Sequence, residues 1–192
     1  MTTEPRKTGA GRLQLLAVAA VFVVPLALAA WMYYFDSMVP GSTTNKGALL
    51  LPTLSLRDEL PHSELHKNQS NQWLMLYVGS TECADDCDKA LVRLRQSRLM
   101  LGKDMQRVGR VFLRSESAAD TVDIDKQHAG LITISDKGLA RLLEESRPKE
   151  LQFGGCYLID PLGNLVMYFP PDLNPKEMVG DIKHLLKLSH IG

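Results

Sequence analysis

Apolar positions along this chain fall into one long block near the N-terminus and several short ones after it. Leu13 to Phe35 runs 23 residues without a charged side chain. As a helix rising about 1.5 Å per residue it reaches about 34 Å, enough for a hydrocarbon core of about 30 Å. Pro25 sits mid-span, where a membrane helix tolerates it, and Trp31, Tyr33 and Tyr34 cluster at the end that would meet the headgroups. Residues 37–46 are small and polar, as in a linker. Residues 47–72 carry short apolar runs broken by Pro52 and Pro61, and are expected to add a strand or cover at a domain edge. Trp73–Val78 is continuously apolar and ends at Gly79-Ser80, the pattern of a strand buried on both faces. A helix is expected from Glu82 to about Leu101, with Ala90, Leu91 and Leu94 on one stripe, and a second strand over Val108–Leu113. Residues 115–130 are polar and acidic, read as a loop, and Gly138–Glu145 is a short helix. Two β-rich runs, Cys156–Asp160 and Asn164–Phe169, are split by Pro161-Leu162-Gly163 and make a hairpin. Asn174 as N-cap and Pro175 at the first helical position open a last helix to Ser189. Strand, helix, strand, connection, hairpin, helix is the outline of an α/β thioredoxin-like domain, a mixed sheet flanked by helices, here preceded by one transmembrane helix.

The flanks of the apolar block set its orientation. Arg6, Lys7 and Arg12 precede it, Asp36 follows it, and the next basic residue is Lys46. The positive-inside rule puts the N-terminal tail in the cytoplasm and the domain across the membrane. The expected organisation is a cytoplasmic tail over 1–12, a transmembrane helix over 13–35, a linker and edge segment over 36–72, and a thioredoxin-like domain over 73–192. The location is the inner membrane, single-pass, with the domain in the periplasm. Ala27-Leu28-Ala29 also matches a signal-peptide cleavage site. The apolar run continues past it to Phe35, which favours a retained anchor, and either reading exports the domain.

Charge removes one class of partner. The 22 basic and 22 acidic residues cancel, so nothing favours nucleic acid, whose phosphates need a basic excess. The three cysteines exclude a disulfide-dense scaffold. Two of them form a C-x-x-x-C, Cys83-Ala84-Asp85-Asp86-Cys87, where a buried strand turns into a helix. Positions i and i+4 share a helix face with Cα atoms about 6 Å apart, inside the range of about 4.4–6.8 Å that a disulfide accepts. The pair can therefore oxidise or, reduced, share a soft metal ion such as Cu(I) or zinc. The helix N-terminus favours a thiolate; Glu82, Asp85, Asp86 and Asp88 oppose it and attract cations. The plainer alternative is two structural cysteines or an inert disulfide.

The run Gly79-Ser80-Thr81-Glu82-Cys83-Ala84-Asp85-Asp86-Cys87-Asp88 resembles that of the SCO/SenC family of cytochrome oxidase assembly proteins. Thr81, Cys83, Asp85 and Cys87 match, while Ala84 and Asp88 replace two prolines. Tyr157-Leu158-Ile159-Asp160-Pro161-Leu162-Gly163 resembles the family's hairpin. The resemblance covers residues 73–189 and implies a membrane-anchored thioredoxin-like protein that binds copper through Cys83, Cys87 and a distal His. That His would fall near Gln152, and residues 151–156 contain none. Cys156 is the nearest substitute sulfur, although such a Cys is more often a small core residue. His128, in the polar loop, is a further candidate ligand. His62 and His66 share an i,i+4 spacing, but Pro61 and Ser63 mark the start of a solvated helix; His184 and His190 belong to a helix end and the tail. Asp120, Asp123 and Asp125 lack the glycine and terminal glutamate of a calcium loop.

Three functions compete. The first is an assembly factor for a respiratory oxidase, partnered with an oxidase subunit or other assembly factors, that handles copper or thiol redox state with Cys83 as the first-reacting sulfur and Cys87 as the resolving one. The second is a general envelope thiol-disulfide oxidoreductase, disfavoured by the three-residue spacing and by the lack of a proline just before the hairpin. The third is a non-catalytic scaffold that has lost its metal centre.

Overall fold

The computed structural model describes residues 9–34, 45–68, 71–79, 85–114 and 128–189. The chain divides into two compact units, Met1–Thr43 and Thr44–Gly192. The first contains one 26-residue helix, α1 (Gly9–Tyr34), with Pro25 inside it. Its described side chains, Gln14 through Leu28 with Ala30 and Trp31, are all exposed and show no polar face. An evenly apolar helix must be covered by protein or lipid. Among the described residues, no helix is long and apolar enough to cross a membrane; the side chains at 9–13 and 32–34, the two ends of α1, lie outside that set.

In the second unit the chain runs through β1 (Ala48–Ser55), α2 (Leu56–Glu59), α3 (Glu64–Asn68), β2 (Trp73–Gly79) and α4 (Asp85–Met100). A 3-10 turn (Gly102–Arg107) leads to β3 (Val108–Arg114) and β4 (Leu131–Ser135). Then follow α5 (Lys137–Ser146), β5 (Cys156–Ile159), β6 (Asn164–Phe169) and α6 (Pro175–Leu188). The six strands form one sheet in the order β1-β6-β5-β2-β3-β4. β2, β3 and β4 are parallel neighbours, and the other pairings are antiparallel. This is the mixed, helix-flanked thioredoxin-like sheet expected from the element order.

Alternation along the central strand builds the two halves of the core. Trp73, Met75 and Tyr77 face one way and pack with Leu91 and Leu94 of α4 and Ile182 of α6. Leu74 and Leu76 face the other way and pack with Leu56, Leu65 and the α5 residues Leu139 and Leu143. That double burial is why β2 reads as an unbroken apolar run. Capping fixes the helix starts: the Lys176 N–H donates to Asn174 Oδ1 at 2.9 Å, and the Leu139 N–H donates to Asp136 Oδ1 at 3.0 Å. The edge segment does add a strand, since β1 pairs antiparallel with β6. Residues 131–135, left without an element by the sequence reading, form the edge strand β4. Of the expected loop at 115–130, residues 115–127 lie outside the described residues.

One buried carboxylate ties the start of this unit to its last helix. Asp181, 7% exposed on α6, accepts the backbone N–H groups of Lys46 and Gly47, each at 2.8 Å from Oδ2. Hydrogen bonds to a charged group contribute about 1.5–3 kcal/mol each, and a donor left buried without a partner is costly. Asp181→Ala should therefore destabilise the domain by about 3 kcal/mol in urea unfolding, and Asp181→Asn, which keeps one acceptor oxygen, by about half of that.

Candidate functional site

The first turn of α4 carries Cys87, the second cysteine of the C-x-x-x-C. Cys87 points into the core, 5% exposed, among Tyr77, Leu91 and Cys156. Its sulfur is disulfide-bonded. Cys83 lies outside the described residues, as do Glu82 and the rest of 80–84; the side chain of Asp85 does too. Cys87 is closed off from solvent. The reason is helical spacing: Cys87, Leu91 and Leu94 stand at i, i+4 and i+7, on the stripe that α4 buries. That signal was present in the sequence. Asp86 and Asp88, on either side of Cys87, are exposed; Asp86 Oδ1 lies 3.2 Å from Lys89 Nζ, an open pair of little energetic weight.

A cavity of about 640 Å³ opens beside this turn, lined by Tyr77, Asp86, Lys89, Arg93, Gln152 and Pro171 among others. Arg93 is fixed there by donating Nη2–H to the Leu173 carbonyl at 2.8 Å. Burial, and then the nearby Asp86 carboxylate, push the Tyr77 hydroxyl above its ordinary pKa. Gln152 reaches the cavity because Tyr168 clasps its loop. The Tyr168 hydroxyl donates to the Gln152 carbonyl at 2.5 Å and accepts the Gly155 N–H at 3.0 Å. Position 152, where the family resemblance puts a ligating His, thus stands across the cavity from the first turn of α4. The side chain there is an amide.

The other candidate ligands fall in different environments. Cys156 is a free thiol buried within the core, and burial pushes its pKa up to about 12. A thiol so reluctant to ionise is a poor metal ligand at neutral pH. His128 is buried beside α4, its Nε2 3.4 Å from Asp88 Oδ1; its Nδ1 has no partner among the described residues. It therefore stands next to the cysteine-bearing turn, on the exposed Asp88 flank. His62 precedes α3, and His66 Nε2 is engaged by the Leu56 and Leu60 carbonyls at 3.2 and 3.0 Å, so the two do not form a shared site. His184 is exposed on α6; His190, Asp120, Asp123 and Asp125 lie outside the described residues. Among the described residues no three His, Cys, Asp or Glu side chains stand together as a metal site.

Sequence reasoning missed the Tyr168 clasp, because a Tyr inside an apolar strand reads as core. Only its spacing from Gly154-Gly155 hints that a backbone must approach the ring: a Cβ on Gly155 would lie 2.2 Å from the Phe169 carbonyl oxygen and 2.5 Å from Tyr168 ring and hydroxyl atoms.

Comparison with known proteins agrees with the fold. No curated protein matches the chain. Among solved structures, Arabidopsis thaliana ScoI with copper bound shares 19% identity over 64% of this chain and 89% of its own, with a TM-score of 0.51. Yeast Sco1 shares 18% over 64% of this chain and 88% of its own, with a TM-score of 0.50. These likenesses are of fold. Residues 5–36 match the family model "Transmembrane-like, N-terminal domain". Residues 73–189, more than half of the chain, match "Transmembrane-like, thioredoxin-like, C-terminal domain". The chain belongs to this transmembrane-like, thioredoxin-like family.

Proposed function

We propose that this protein is an assembly factor for a respiratory cytochrome oxidase, anchored in the inner membrane by α1 with its domain in the periplasm. In this reading it sets the thiol state of its client through Cys83 and Cys87. The observation that carries it is the disulfide-bonded Cys87 on the first turn of α4, beside a cavity large enough for part of a polypeptide. Cys156 is free, and in this reading Cys83 is the partner of Cys87. The uncharged run from Leu13 to Phe35 and the basic residues before it support the anchor and its orientation.

Chemically, reduced Cys83 attacks a client disulfide as the thiolate, forming a mixed disulfide and releasing one client sulfur. Cys87 then attacks the Cys83 sulfur and releases the second. Two electrons pass to the client, the two protons lost by the pair end on its thiols, and Cys83–Cys87 is left as a disulfide. A dithiol donor must reduce it again. The buried position of Cys87 suits the resolving role, because it needs to meet only Cys83. Two soft sulfurs also suit the copper implied by the SCO/SenC resemblance, but an amide at 152 and the protonated Cys156 do not complete its ligand set. Thiol exchange is therefore the primary reading.

The second reading, a scaffold without chemistry, is favoured by Gln152 standing where the family has its His. Complementation separates them. In cells lacking this protein, wild type should restore oxidase activity and the Cys83→Ser, Cys87→Ser variant should not. Full restoration by that variant, expressed at equal level, would select the scaffold.

A further inference from the structure

A second cavity, of about 540 Å³, lies on the other face of the sheet, at the C-terminal end of β2. Its volume is in the range of ligand sites, about 300–1,000 Å³. Val78, Tyr157 and Tyr168 give it an apolar and aromatic floor, and three cations, Lys137, Arg141 and Arg147, stand around it against the single carboxylate of Glu144. Arg141 is drawn toward Glu145, with Nε 2.8 Å from Oε1, whereas Lys137 has no carboxylate partner among the described residues.

Arg147 is held in place without being neutralised. Its Nη1 donates to the carbonyls of Pro148 and Leu151, and its guanidinium lies 3.6 Å over the Phe153 ring. A fixed cation beside an aromatic floor fits a ligand that pairs an apolar body with a carboxylate. Phe153, 64% exposed, lines this cavity and also the one beside the first turn of α4. The two are thus neighbours across one side chain, a layout for an extended polypeptide.

We propose that this cavity is a recognition pocket for the client polypeptide, taking an apolar or aromatic residue followed by an acidic one, while the stretch beyond Phe153 lies beside the first turn of α4. The assignment rests on the reading above that the chain acts on a client protein, and it specifies the client's local chemistry.

The test is calorimetric titration of the full-length chain in detergent micelles with blocked hexapeptides. Gly-Gly-Phe-Glu-Gly-Gly should bind at least about tenfold more tightly than its Phe-Lys or Gly-Glu counterparts, a difference of about 1.4 kcal/mol. The double substitution Lys137→Glu, Arg141→Glu should weaken it at least about tenfold while leaving the unfolding temperature unchanged, because Arg141 and its Glu145 partner are exposed. No heat of binding, equal affinity for the three peptides, or unchanged affinity in the variant would overturn the proposal. Phenylacetate binding as tightly as the Phe-Glu peptide would reassign the pocket to a small carboxylate and overturn it too. Peptide binding needs no sulfur, so the Cys83→Ser, Cys87→Ser chain should bind equally well. The pocket then stands where thiol chemistry fails, and a chain that exchanges disulfides without any charge preference refutes the pocket alone.

Discussion

Gly155→Ala should destabilise the domain by about 3 kcal/mol or more, at the upper end of what overpacking costs. The added Cβ would sit 2.2 Å from the Phe169 carbonyl oxygen and 2.5 Å from Tyr168 atoms. A backbone oxygen within a strand cannot step aside as a flexible side chain does. Accommodating the methyl group means moving β6 or the 152–155 loop, and either movement breaks the Tyr168 clasp on Gln152. Gly154→Ala makes the control. Gly154 has φ +82 but nothing within 4 Å of its added Cβ, so only the left-handed backbone is penalised, by about 1–2 kcal/mol. Urea unfolding of the two variants should separate them in that order. A Gly155→Ala chain as stable as wild type would mean that the loop does not pack against β6 as described.

The second large effect separates the two sulfurs. With Cys83 attacking and Cys87 resolving, Cys87→Ser should trap the client, or a model disulfide substrate, as a mixed disulfide that persists on a non-reducing gel. Cys83→Ser should give no such adduct, because the remaining thiol is buried. Both variants should lose turnover by about a hundredfold or more, since neither can complete the two-step exchange. Adducts through Cys87 alone would reverse the assigned roles. Adducts through Cys156 would contradict its burial and its suppressed ionisation.

Much of the fold was legible because each element repeats its own period. β2 is apolar at successive positions, since it is covered on both faces. The hairpin shows a turn between two β-rich runs, with Gly163 at φ +91. The last helix announces its cap with Asn174-Pro175. β4 was not legible: Leu131–Ser135 is five residues long, mostly half-buried at the sheet edge, and held by parallel pairing with β3. Pairing across a sequence gap leaves no mark on a short segment. At the site, the likeness of the hairpin led to position 152, and the clasp by Tyr168 brings that position to the cavity. The burial of Cys87 is readable from its spacing to Leu91 and Leu94, which puts it on the apolar stripe of α4. The second cavity was not readable at all. It joins Val78 of β2, Lys137 and Arg147 at the two ends of α5, and Tyr168 of β6, which share no local pattern.

Cys83 and Cys87 are proposed to form one reversible two-electron couple. Equilibrating the full-length chain with graded ratios of reduced and oxidised glutathione, quenching in acid, labelling free thiols in denaturant and mapping them by peptide mass tests this pairing. Cys83 and Cys87 should gain and lose their labels together through a single transition, while Cys156 is labelled as a free thiol at every ratio. A Cys87 that never exchanges, or that changes state without Cys83, would contradict it.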